Sequence, residues 1–310
     1  MYFPYLRGRQ FELLALRELA EQKIIGEKIF PVIEPVKLSS TLIKTLDAYK
    51  QKNKSIAIIM NPSVGELSSV NLINEDNSES KRILSFIQES DCIKSAFHLT
   101  KSLLKNPKYN KEDCILIANK KENIDVYNEL YGENEAPLFT LMRDESDFRR
   151  SIRNQHRVLL ADNFVKKPRN SDYENRDEIF TRDHLYYAED GYAGFSDYSI
   201  IGNEYSESGF APYAVAIHIV YLNEKGELTI RHFVSDTNED FSDTPRKLQE
   251  ALEKLIQWDK EHKMNTYAMQ QFHKLYDQKI YPGLGIIKKL SIMHHIETVN
   301  SFLKKTNENK

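Results

Sequence analysis

Apolar positions along the chain follow two alternating rhythms. Short unbroken apolar runs, such as SIAIIM at 55–60 and CILIA at 114–118, alternate with stretches whose Leu, Ile and Ala residues return every three or four positions. The first rhythm marks strands covered on both faces and the second marks amphipathic helices. Read in order, strands are expected at 3–6, 28–34, 55–60, 94–99, 111–118, 137–142 and 158–161. Helices are expected at 13–22, 41–50, 80–89, 124–131 and 145–153. Strand followed by helix, repeated this often, favours a parallel sheet, and closing that sheet would remove its edges. The expected fold class is α/β: a (β/α) TIM-like barrel with an antiparallel hairpin insertion near the C-terminus. An open doubly wound sheet is the competitor.

The texture changes after Asp162. Residues 166–194 are densely charged, include Pro168, and read as a charged loop or lid. From Phe195 the pattern turns β-rich, and YAVAIHIVY alternates before a turn at 223–226 and a second arm at 227–234. That pattern predicts a hairpin elaboration spanning 213–234. Thr244-Pro245 is expected to open a long helix running to about residue 260, with Thr244 as N-cap and Pro245 at the first helical position. A last helix is expected at 286–303. Residues 1–310 are read as a single barrel domain.

Composition narrows the function classes. With 43 basic and 46 acidic residues the formal net charge is −3, so no broad nucleic-acid binding surface is indicated. Cys92 and Cys114 have no CxxC companion, which suggests neither a disulfide framework nor a zinc knuckle. The N-terminal residues lack a signal-peptide pattern and no apolar run is long enough for a membrane helix, so a cytoplasmic location with no membrane partner is expected. HExxH, GxSxG, Walker and dinucleotide glycine motifs are absent.

The opening FPYLRGRQFELLALREL, followed by IFPVIEPVK, resembles the bacterial and phage "beta protein" family. The matching positions are Arg7, Arg9, Glu12, Ala15 and Leu16, then Pro31 and Glu34. The later block GFSDYSIIGNEYSESGFAPYAVAIHIVY is similar to that family's Asp-Tyr segment ahead of its hairpin. The resemblance implies a barrel-like fold and an association with phage and defence regions; it assigns no biochemical activity.

In a parallel barrel, functional groups gather at the C-terminal ends of the strands. Reading those ends gives Arg7, Arg9, Glu34, Lys37, Asn61, His98, Thr100, Asn119, Lys120, Arg143, Asp144, Asp162 and Asn163, followed by the Asp197-Tyr198 block. Glu34, Asp162 and His98 are the candidate acid/base groups. Arg7, Arg9, Lys37, Asn61, Arg143, Asp197 and Tyr198 are the candidate ligand-binding groups. Glu34, Asp144 and Asp162 together could form an oxygen-rich site for Mg²⁺. The competing reading of Glu34 is a salt bridge to Arg7 or Lys37. Tyr186, Tyr187, Tyr192, Tyr198, Tyr205 and Tyr213 are read as a possible contact surface, or as lid packing. These features support a recognition protein that binds a protein partner or a phosphorylated ligand at the barrel mouth in phage–host conflict. The alternatives are a metal-dependent enzyme acting on phosphodiesters or nucleotides at the same mouth, and a structural scaffold.

Overall fold

The computed structural model describes residues 1–69, 77–105, 110–132, 135–153, 156–206 and 212–308. Where one domain is expected, the chain packs as two compact units: Met1–Asp162 with Asp183–Tyr198, and Asn163–Arg182 with Ser199–Lys310.

The first unit is an α/β TIM-like barrel. Its parallel strands are β1 (Tyr5–Leu6), β2 (Val32–Ile33), β3 (Ile56–Ile59), β4 (Ile93–His98), β5 (Cys114–Ala118), β6 (Phe139–Met142), β7 (Arg157–Ala161) and β9 (Gly194–Asp197), neighbours in that order. Interleaved with them are α1 (Gln10–Glu21), α2 (Ser40–Lys52), α3 (Ser78–Glu89), α4 (Glu122–Leu130), α5 (Ser146–Ser151) and α6 (Asp183–Tyr186). Tyr2 bridges in parallel to both Ile29 and Phe195, bringing the two edges of the sheet together. The seam is tied by Phe3 N–H donating to Phe195 O at 2.9 Å and Phe195 N–H donating to Met1 O at 3.0 Å. Gly194 makes this approach possible. A Cβ there would stand 2.6 Å from Met1 O and 2.8 Å from the Phe3 ring.

Side chains alternate across a strand, so every second residue shares a face. Phe3, Tyr5, Phe30, Val32, Ala57, Ile59, Ala96, Ile115, Ile117, Leu141, Val158, Leu160 and Tyr198 form one buried cluster, with a step of two residues on each strand that supplies more than one. That cluster is the packed interior expected of such a barrel. Cys92 and Cys114 are buried free thiols.

The second unit is a three-stranded antiparallel sheet, β10 (Ala216–Leu222), β11 (Leu228–Val234) and β8 (Asp177–Thr181), with α7 (Thr244–His262), α8 (Tyr267–Asp277) and α9 (Leu284–Glu308). The hairpin pairs Ala216 with Val234 through to Leu222 with Leu228, and Gly226 takes the left-handed conformation in its turn (φ +74°). α7 packs on both hairpin strands and α9 packs on β10, while α8 joins α7 to α9.

Two sequence expectations change here. The segment 166–194 is not a plain loop, since it carries β8 and α6 and leads into β9. Its alternation is masked by the charges of exposed Asp177 and half-buried Glu178 on a short edge strand. The N-cap of α7 is Asp243, whose carboxylate accepts from Arg246 N–H at 3.3 Å, so Thr244 is already helical. Residues 207–211 of the family-like block lie outside the described residues. Among the described residues, no helix is long and apolar enough to cross a membrane.

Candidate functional site

The inward alternation of the barrel strands continues past their C-terminal ends and changes chemistry there. Above Tyr5 stands Arg7, above Val32 stands Glu34, and above Ala96 stands His98. Gly8 lets the chain turn sharply from β1 into α1. Its φ is +64°, and a Cβ would meet Pro35 Cα at 3.0 Å and Glu34 O at 3.2 Å. Its close approach is therefore to the end of β2, which draws Arg7 and Glu34 together.

Glu34 is the hub of the mouth and is fully buried. Its Oε1 accepts from Ser63 N–H and Ser63 Oγ, each at 2.7 Å, and lies 2.9 Å from His98 Nε2. Its Oε2 accepts from the Tyr5 hydroxyl at 2.6 Å and from the Arg7 guanidinium. A carboxylate offers about four acceptor sites, so this one is saturated. Burial pushes the Glu34 carboxyl up, but the His98 hydrogen bond and charge, the Arg7 charge and the Tyr5 hydroxyl outweigh it and hold it well below the usual carboxylate range. Arg7 is held from its other sides by aromatic rings, with its guanidinium carbon 5.3 Å from the Tyr5 centroid and 5.4 Å from that of Tyr198. Burial would lower the Arg7 value, yet the nearby acidic groups Tyr5, Glu34 and Tyr198 raise it overall.

Two further groups complete the mouth. The Asn61 side chain takes the place of a strand rung: its Nδ2 donates to His98 O at 2.9 Å and its Oδ1 accepts from His98 N–H at 2.8 Å. That clamp fixes the backbone of His98 while Glu34 fixes its ring. The Tyr198 hydroxyl is pushed up to about 12 by burial first, with Arg7 and a hydrogen bond from Asn119 opposing and Glu34 and Asp162 adding to the rise. Asn119 and Asp162 therefore both bear on Tyr198.

Of the sequence candidates, Arg7, Glu34, Asn61, His98 and Tyr198 meet in one cluster. Asp162 stands exposed beside it. Others fall elsewhere. Arg9 is the half-buried N-cap of α1. Lys37 is exposed on the loop after β2; the partner of Glu34 is Arg7. Arg143 is exposed and pairs with Glu145 at 3.0 Å. Asp197 is buried with its Oδ1 accepting from Tyr2 at 2.9 Å. It lies one residue out of phase with inward-facing Tyr198 and so belongs to the other face of β9.

The Mg²⁺ reading of Glu34, Asp144 and Asp162 is corrected on the same grounds. Asp144 is engaged by Arg149 and by the Tyr192 hydroxyl, while Glu34 is filled by the donors above. Among the described residues, no three His, Cys, Asp or Glu side chains gather as a metal-holding group. Saturation also removes Glu34 as a general base. Of the tyrosines, Tyr186, Tyr187, Tyr192 and Tyr198 belong to the barrel unit and Tyr205 and Tyr213 to the second.

Tyr5 and Ser63 are site residues absent from the sequence candidates. Tyr5 shares the strand face of Arg7 two residues earlier, a signal legible from alternation alone. Ser63 lies in a loop and reaches Glu34 only through the fold, so no local pattern marks it. Comparisons with protein-family models, with curated proteins and with solved structures return no match.

Proposed function

We propose that the barrel unit is a recognition module whose C-terminal mouth takes a polar group of a ligand or partner protein, in keeping with the phage- and defence-associated family that the sequence resembles. The observation that carries this reading is the saturated Glu34 carboxylate. It fixes Arg7, Tyr5 and His98 in place and has no lone pair left over for proton abstraction. The positive charge of Arg7 is balanced within the protein, which weakens the case for a phosphate anchor at this mouth. What the mouth offers instead is a mixed set of donors and acceptors from Asn119, Asp162, Tyr198 and His98. Such a set suits an uncharged group with both donors and acceptors, for example a nucleobase edge, a sugar or a peptide amide.

A second reading rests on one contact. A carboxylate bound to an imidazole nitrogen is the arrangement that orients a histidine for acid/base work, and Glu34 holds His98 in this way. The two readings part in one experiment. Nucleosides, monosaccharides and short peptides are screened by native mass spectrometry against the wild type, Asn119→Ala and Tyr198→Phe. Recognition predicts that at least one class binds the wild type and that both variants weaken it. Failure of all three classes to bind, or equal binding by the variants, refutes it. Conversion of a bound compound that disappears in His98→Ala would establish the catalytic reading instead.

A further inference from the structure

The second unit contains a cavity of about 590 Å³, built wholly from its own residues. Small-ligand sites commonly fall between roughly 300 and 1,000 Å³. Part of its lining is aromatic: Phe164 and Tyr173 pack on His218 with centroid separations of 5.1 and 4.7 Å. Much of the remainder is aliphatic, with Ile287 buried in it. Lys166, Lys167 and Lys288 also line the cavity, and among the described residues no aspartate or glutamate does.

This combination specifies the sign and the shape of a ligand. An apolar slot favours a body that leaves water, and three ammonium groups without a carboxylate in the lining favour an anionic head. Lys166 meets Glu204 at 3.1 Å, but both side chains are well exposed, where such a pair adds little. The aromatic side contributes no charge of its own. His218 Nδ1 lies 2.7 Å from His232 Nδ1, a separation that needs one ring to donate and the other to accept. Burial, first, and then the charges of His232 and Lys288 push His218 down to about 3. The Lys288 charge thus reaches the aromatic wall, and that wall stays neutral at physiological pH.

We propose that this cavity binds a phosphate monoester with an apolar or aromatic body, the phosphate meeting Lys166, Lys167 and Lys288 and the body lying against Phe164, Tyr173 and Ile287. The site is separate from the barrel mouth and does not depend on the reading given for it. Titration calorimetry of the full chain with adenosine 5′-monophosphate, dodecyl phosphate and inorganic phosphate tests the proposal. At least one ester is expected to bind more tightly than inorganic phosphate, and Lys167→Glu with Lys288→Glu should weaken it by about tenfold or more. A preference for the nucleotide identifies the body as a nucleobase; a preference for the alkyl ester identifies it as an acyl-type chain. Should the double variant lose its native far-UV circular dichroism, Lys167→Met with Lys288→Met keeps the aliphatic stems and makes the same comparison. Absence of binding by both esters, equal affinity for inorganic phosphate, or unchanged affinity in the charge variants would overturn the proposal.

Discussion

Replacing Glu34 by Gln strands the Arg7 guanidinium. The wild-type pair is buried, with side-chain exposures of 9% for Arg7 and 0% for Glu34. Breaking a buried pair from one side typically costs about 3–5 kcal/mol, against roughly 0–1 for a surface pair. The amide also turns an acceptor into a donor among groups that already donate, so the upper part of that range is expected. The opening equilibrium of the β1–β2 region should therefore rise by about 100-fold or more. Hydrogen exchange of peptides covering residues 1–36 reads this directly. Trp258, the single tryptophan, lies in the second unit, so its fluorescence would report on the wrong part of the chain. Adding Arg7→Met to Glu34→Gln removes the stranded charge and should recover most of the lost protection. A loss below about 1 kcal/mol in the single variant, or no recovery in the double, would refute the hub description. The pH dependence gives a second check. The folded value of Glu34 lies below its ordinary 4.5, so its contribution is complete above that pH and fades as pH falls toward the folded value. Wild-type protection should decline on acidification below about pH 4.5 more steeply than that of Glu34→Gln.

Other expectations follow from the same structure. Gly194→Ala places a Cβ 2.6 Å from a backbone oxygen at the seam and should cost about 1–3 kcal/mol, seen as faster exchange of the Phe3 and Phe195 amides; unchanged exchange would mean the seam has slack. Asp243→Ala removes the cap of α7 and should lower stability by about 1 kcal/mol in urea titration, with Asp243→Asn close to wild type. His218 and His232 are pushed down to about 3 and about 4, burial being the main cause in each. Both fall below the ordinary 6.5, so the second unit keeps its full stability above that pH and loses it as pH drops toward 4. Histidine NMR titration should find neither ring charging between pH 5 and 8, and a midpoint near 6.5 for either would contradict the buried pair.

Alternation and spacing along the chain were enough to place seven of the barrel strands and the hairpin, because even the shortest of them lies in an apolar run set off from its neighbours by polar or helical stretches. They also placed Arg7, Glu34, Asn61 and His98 at strand ends, where parallel strands must deliver them to one rim. Gly194–Asp197 was harder to see as the eighth barrel strand: it begins with glycine and has Phe195 as its one large apolar residue, and its strand character comes from pairing with β7 and with Met1–Phe3. β8 is likewise defined by its partner β11, the two lying together in the second unit. What only the tertiary structure decided is which polar groups meet. Glu34, His98 and Ser63 are far apart in sequence, so their hydrogen bonds exist only once the sheet curls and the loop after β3 folds over it. The same holds for exclusion: Asp197 and Tyr198 are adjacent in sequence, yet the pleat sends one to the outer face and the other into the mouth. Periodicity is a property of neighbours along a chain, whereas a site is set by side chains that long-range closure brings within 3 Å of one another.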